Sequence, residues 1–205
     1  MSITLYSRGS RGDMVKQIQQ ALHLLPDGIF GILTEEAVKA FQSKNHLQPD
    51  GIVGPKTLAM LLRERLKKSK RTITEIIVYC SATAEDKHYT ANDIRRWHKQ
   101  QGWSDIGYHY VIQMDGTIEQ GRDVDMVGAH CMGHNLKSIG VCYVGGCDKN
   151  MRPKDTRTEL QKNALLNLLL ELRKLYLQAK IYGHRDFDRG KDCPSFDAKS
   201  EYRYI

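Results

Sequence analysis

Three side chains late in the chain could share one reaction centre: His184, Lys191 and Cys193, in the stretch HRDFDRGKDCPSFD at 184–197. Imidazole nitrogen and thiolate sulfur are both zinc donors, and a hydrolytic zinc site keeps one position open for water. Lys191 and Cys193 are two residues apart, so an extended segment turns both side chains to one side. An ammonium there would sit where an oxyanion develops in acyl transfer. The competing reading is a structural histidine in a polar loop beside a free, buried cysteine. A lone His–Cys pair at this separation normally means that. The remainder of the chain shifts the balance toward the metal centre.

Length and composition bound the frame that must position these groups. A chain of 205 residues holds one large domain or two small ones. Its hydrophobic fraction of 40% and charged fraction of 27% are those of an ordinary soluble protein. No apolar run approaches the ~18 residues of a membrane span. The N-terminal stretch MSITLYSRGSRGDM lacks the apolar region of a secretory signal. The expectation is synthesis in the cytoplasm without a cleaved signal. Five cysteines, odd in number and irregular in spacing, argue against a disulfide framework. The net charge of +7 favours anionic partners such as nucleic acid, anionic lipid or cell-wall polymer. No nucleic-acid motif accompanies it, so no nucleic-acid partner is expected.

An internal repeat organises the first sixty residues. Pro26-Asp27-Gly28-Ile29-Phe30-Gly31 recurs as Pro49-Asp50-Gly51-Ile52-Val53-Gly54, twenty-three positions later. Each copy reads as a turn, an apolar pair and a second glycine. Each then leads into a helix. Thr34 is placed to cap the first, with Ala37, Val38 and Phe41 as its apolar stripe. Pro55 suits the first turn of the second, with Leu58, Leu61 and Leu62 on one side. An earlier helix begins after Asp13, with Val15, Ile18 and Leu22 at helical spacing. The segments RGSRGDMVKQIQQAL, PDGIFGILTEEAVKAFQ and LQPDGIVGPKTLAML resemble the peptidoglycan-binding domain type 1 family, a three-helix module. Peptidoglycan is the partner this resemblance implies; the competing reading is a small packing domain without a ligand. The basic run RERLKKSKR at 63–71 reads as a solvated linker.

Beyond it the pattern changes. Ile76-Ile77-Val78 is a β-branched run expected as a buried strand ending near Cys80. Thr90 can cap a helix that turns Ile94 and Trp97 inward. Tyr108–Ile112 forms a second strand, Ile118 a third after the Asp115-Gly116 turn, and 139–144 another. Thr158 and Gln161 make a capping box for a long helix whose stripe runs from Leu160 to Tyr176. A short strand around Ile181 then delivers His184. The fold class is α/β (α+β): a mixed β-sheet flanked by helices, preceded by a small three-helix domain. The expected division is 1–62, a linker at 63–71, and 72–205.

The segments VYCSAT, DIRRWHKQQGWSDIGYHYVI, DGTIEQGRD, GAHCMGHNLKSIGVCYVGG and CPSFD occur in that order between 78 and 197. They resemble the zinc-dependent N-acetylmuramoyl-L-alanine amidases of type 2, whose fold is shared with peptidoglycan recognition proteins. The resemblance implies cleavage of the amide between the lactyl group of N-acetylmuramic acid and L-alanine. It implies zinc held by two histidines and a cysteine. His184 matches the second histidine ligand and Cys193 the cysteine; Lys191 matches the catalytic lysine and Tyr108 the catalytic tyrosine. His130 falls where the family lines the substrate groove. The first histidine ligand falls on Tyr79.

Three outcomes follow at Tyr79. A phenolate could ligate, since zinc accepts oxygen; ionising a phenol of pKa ~10 at neutral pH costs roughly 4 kcal/mol unless the metal supplies it. Zinc could instead be held by His184 and Cys193 with added water. Or the metal could be lost, leaving a wall-binding protein. Neighbouring rescue looks poor, because strand alternation turns Cys80 away from Tyr79 and His109 away from Tyr108. The expected function is a modular endolysin, a monomer that reaches the wall after release. The alternative is a binder without turnover, and a salt-tracking nucleic-acid protein is the third option.

Overall fold

The computed structural model describes residues 5–205. The chain separates into two compact units, the first ending at Leu66 and the second running from Lys67 to Ile205. Helices α1 (Asp13–Ala21), α2 (Ile32–Lys44) and α3 (Pro55–Arg65) form the first. Their core joins Val15, Ile18, Phe30, Val38, Phe41, Val53 and Leu61, with Leu22 and Leu58 packed against it. The side chain of Leu62 lies outside the described residues.

The sequence repeat is a repeated clamp. Gln19 Nε2 donates to Asp27 Oδ1 (2.7 Å), the Ile29 carbonyl (3.0 Å) and Thr34 Oγ1 (3.1 Å), while its Oε1 accepts from Gly28 N–H (2.9 Å). Gln42 does the same with Asp50 (2.8 Å), Ile52 (2.9 Å), Thr57 (3.2 Å) and Gly51 (2.9 Å). Both glutamines are buried, and their full satisfaction is what makes burial tolerable. Gly28 and Gly51 have φ of 77° and 76°, the left-handed conformation that only glycine adopts freely. Thr34 serves this clamp from inside α2 rather than capping it; Gly31 occupies the cap position.

The second unit is built on a five-stranded mixed sheet. Its strands are β1 (Glu75–Cys80), β3 (Tyr110–Ile112), β4 (Ile118–Gln120), β5 (Ser138–Tyr143) and β7 (Lys180–Gly183), ordered β4-β3-β5-β1-β7. Only β3 and β4 pair antiparallel. A separate pair, β2 (Thr83–Ala84) and β6 (Gly146–Cys147), extends beyond the ends of β1 and β5. β1 is buried along its whole length, consistent with a central strand.

Helix α4 (Ala91–Gln100) begins at a Thr90–Asp93 capping box, and α5 (Glu159–Leu175) at one formed by Thr158 and Gln161. Gln161 is fully buried and also donates to the carbonyls of Ile112 (3.2 Å) and Val144 (2.8 Å), tying α5 to the sheet. Leu165, Leu168, Leu169 and Leu172 bury the inner stripe of α5. A short α6 (Ala198–Glu201) follows the last loop. The second half of the basic run is bonded rather than solvated. Lys67 pairs with Asp125 at 2.6 Å, and Arg71 donates to the carbonyls of Val124 (2.9 Å), Asn135 (3.1 Å) and Ser138 (3.2 Å).

Candidate active site

The segments converge at the C-terminal end of β1. In register, Tyr79 lies opposite Cys142 of β5, and Val78 opposite Gly183 of β7. The chain leaving β7 therefore enters a single 3-10 turn, His184–Asp186, alongside Tyr79, and the two rings stand 4.9 Å apart. Tyr108, just before β3, reaches the same place with its ring 5.1 Å from that of Tyr79. Ile77, Tyr79, Cys131 and Cys142 form an apolar cluster against which Tyr108, Phe187 and Cys193 pack.

The loop carrying Cys193 is stapled to the sheet. Cys80 N–H donates to Cys193 Sγ at 3.3 Å, Arg185 N–H to the Cys193 carbonyl at 2.8 Å, and Tyr143 hydroxyl to the Pro194 carbonyl at 2.6 Å. Cys193 Sγ also donates to the Cys80 carbonyl at 3.9 Å, and with the two thiols side by side Cys80 is drawn below its ordinary range while Cys193 is pushed upward. Alternation does separate Cys80 from Tyr79 along the strand, yet Cys193 meets Cys80 at the strand end.

Lys191 is exposed on the same loop, its N–H bonded to the Asp188 carbonyl at 3.0 Å. Burial holds the His184 imidazole below its ordinary range; Asp188 opposes this and the Lys191 charge reinforces it. His184 is thus neutral at pH 7, with a lone pair available.

His130 stands in the loop before β5, its ring 5.3 Å from that of Tyr79. Its Nδ1 lies 3.0 Å from the Tyr79 hydroxyl. Burial drives the His130 pKa down to about 2, so the ring is neutral. With the hydroxyl donating to Nδ1, the ring proton rests on Nε2, which is buried without a partner among the described residues. Glycines make room for this ring. A Cβ at Gly128 would stand 2.4 Å from His130 Cδ2, and one at Gly140 2.6 Å from it.

Three of the other histidines, His98, His109 and His134, are occupied elsewhere. His109 Nδ1 accepts from Gly140 N–H at 3.0 Å and its Nε2 faces the Met126 carbonyl at 3.1 Å. His134 pairs with Glu75 at 2.8 Å. His98 accepts from Gly107 N–H at 3.0 Å and packs on Trp103. Glu119 accepts from Ala91 N–H at 2.6 Å at the start of α4, and Asp123 bonds Lys67 at 3.2 Å. Neither carboxylate serves the cleft.

The donor chemistry fits zinc at two positions. His184 offers a neutral imidazole and Cys193 a sulfur, both of which zinc takes. Tyr79 does not complete the set. Its hydroxyl is bonded to His130 and has the Cys131 thiol as a further neighbour; burial and nearby Cys131 and Tyr108 push its ionisation far above the ordinary range. Among the described residues, no three His, Cys, Asp or Glu side chains are grouped to hold a metal ion.

A mixed sheet with Tyr79, Tyr108, His184 and Cys193 gathered at one strand end follows a three-helix unit in the chain. The N-acetylmuramoyl-L-alanine amidase family model matches residues 69–196, and the chain belongs to that family. The peptidoglycan binding domain model matches residues 11–61. The endolysin of Klebsiella phage KP32 is 46% identical over 130 residues, spanning 63% of this chain and 85% of that one. The endolysin of Escherichia phage T7 is 43% identical over 132 residues, spanning 64% and 87%. Among solved structures, the N-acetylmuramoyl-L-alanine amidase LysC from Clostridium intestinale superposes with a TM-score of 0.54 at 30% identity, covering 64% of this chain and 82% of LysC.

Proposed function

We propose that this protein is a peptidoglycan hydrolase of the modular endolysin kind, cleaving the amide between N-acetylmuramic acid and L-alanine. The observation that carries the reading is the meeting of Tyr108, His184 and Cys193 around Tyr79 at the end of β1, with Lys191 on the same loop. The helical unit, ending at Leu66, would grip the wall, and the unit beginning at Lys67 would carry the reaction.

His184 and Cys193 would hold the zinc that the family implies. When bound, such an ion lowers the pKa of a water to about 7 and polarises a carbonyl. The remaining work falls to this chain's own groups. Lys191 supplies a positive charge to the oxygen of the lactyl carbonyl as it becomes an oxyanion. Tyr108, whose phenol stays protonated because burial raises its pKa, passes a proton to the departing L-alanine nitrogen. His130 lines the groove as a neutral, fixed ring. The protein would meet its substrate after release to the wall; no helix among the described residues is long and apolar enough to cross a membrane.

Purified sacculi provide the test. The reading expects new L-alanine amino termini in the presence of zinc, abolished by a chelator. Wall pelleting with no such release, even with zinc added, would remove the hydrolase assignment. It would favour a second reading, wall binding without turnover, which the commitment of the Tyr79 hydroxyl to His130 supports.

A further inference from the structure

We infer that Tyr79 is a hydrogen-bond partner of His130 and not a metal ligand, leaving a two-donor centre of His184 and Cys193 that holds zinc loosely. The inference rests on the proposed amidase reading of the site.

The geometry around the phenol carries it. Tyr79 is 1% exposed, and its ring is wedged between those of Tyr108 (5.1 Å), His130 (5.3 Å) and His184 (4.9 Å). The hydroxyl projects past the ring and ends 3.0 Å from His130 Nδ1. His130 cannot follow a swinging phenol. Gly128 and Gly140 lie so close that even a Cβ would come within 2.4 and 2.6 Å of its ring. Its backbone N–H is also held, donating to Asn135 Oδ1 at 2.8 Å.

Turning the hydroxyl toward His184 and Cys193 would break the bond to a ring whose Nε2 already lacks a partner among the described residues. Both nitrogens of a buried imidazole would then be unsatisfied, which is costly. Ligation would further place an anionic oxygen on a side chain only 1% exposed and enclosed by three rings, where it is poorly solvated. An imidazole at position 79 still gives up the bond to His130 but escapes the second obstacle, since it ligates as a neutral group. It is shorter than a phenol and coordinates without losing a proton.

Two consequences follow. Removing the Tyr79 oxygen should leave zinc affinity nearly unchanged, whereas supplying an imidazole should raise it. The measurement is zinc competition against a chromophoric chelator, with reduced full-length protein, for the unaltered chain, Tyr79→Phe and Tyr79→His. The expected result is a Kd within twofold for Tyr79→Phe and at least tenfold tighter for Tyr79→His. Zinc should also give no tyrosinate difference absorption in the unaltered chain, a readout that needs no variant to fold. A tenfold or greater weakening in Tyr79→Phe, or a tyrosinate band on adding zinc, would overturn the inference by making Tyr79 a ligand. Failure of Tyr79→His to gain affinity would overturn it too. Loose zinc binding as described, without cleavage of sacculi, would leave this inference standing and remove only the hydrolase reading.

Discussion

The two units solve the problem of buried polar groups in opposite ways. The helical unit solves it twice with the same residues, since Gln19 and Gln42 each satisfy an aspartate, a carbonyl, a threonine and a glycine N–H. The sheet unit assembles its cleft once, from β1, the segment before β3, the loop before β5 and the loop after β7. Duplication makes one unit legible as a pattern. Single-copy assembly makes the other sensitive to one replacement, and the proposed reading puts Tyr79 at such a position.

The largest expected effect is on the single-copy side. Lys191→Ala should lower turnover on wall fragments by roughly 10²–10³-fold, the usual scale for losing an oxyanion stabiliser. A steady-state assay of stem-peptide release reads this, and retention of full activity would mean another cation stands in.

The second effect is a pH dependence of stability in the sheet unit. Burial lowers the His109 pKa to about 4, and the side chain is fully enclosed. Below about 6.5 the unfolded chain binds a proton that the folded chain refuses. Stability therefore falls as pH drops from about 6.5 toward 4, with His109 contributing about 3 kcal/mol and the more strongly lowered His130 adding to the decline over the same window. Urea midpoints across this window should decline, and His109→Gln should reduce the decline if it folds. An unchanged slope would show that His109 is not among the titrating groups.

Duplication itself can be broken next. Gln42→Ala leaves the buried Gly51 N–H without its acceptor, costing roughly 1–3 kcal/mol. Gln19→Ala should cost a similar amount through Gly28. Hydrogen exchange across residues 13–65 of the full chain compares them, and a harmless substitution at either position would mean that the two clamps are not equivalent. The smallest effect concerns the room left for His130. Gly140→Ala should cost about 1–2 kcal/mol by overpacking and displace the ring from Tyr79. Imidazole chemical shifts would detect that, and an undisturbed His130 signal would contradict the packing.

Much of this could be read from residue order alone. The β-branched run of β1, the capping boxes at Thr90 and Thr158, and the repeated Asp-Gly turns are local signals, and each appears in the structure. What local signals cannot carry is pairing across the fold. The Tyr79–His130 bond joins residues 51 apart and the Cys80–Cys193 contact joins residues 113 apart. Strand alternation correctly separated Cys80 from Tyr79 but says nothing of a loop that returns to the strand end. Thr34 shows a related failure: its position before two glutamates mimics a cap, while its hydroxyl answers a glutamine fifteen residues earlier. That glutamine also recurs at the repeat spacing, a signal that could have exposed the clamp.

The most direct test of the account is mass analysis of a purified disaccharide–peptide incubated with the full chain and excess zinc. Separate masses for the intact disaccharide and for a peptide beginning at L-alanine are predicted, with neither formed when His184 or Cys193 is replaced by alanine. An unchanged substrate after prolonged incubation with folded, zinc-supplied protein would contradict it.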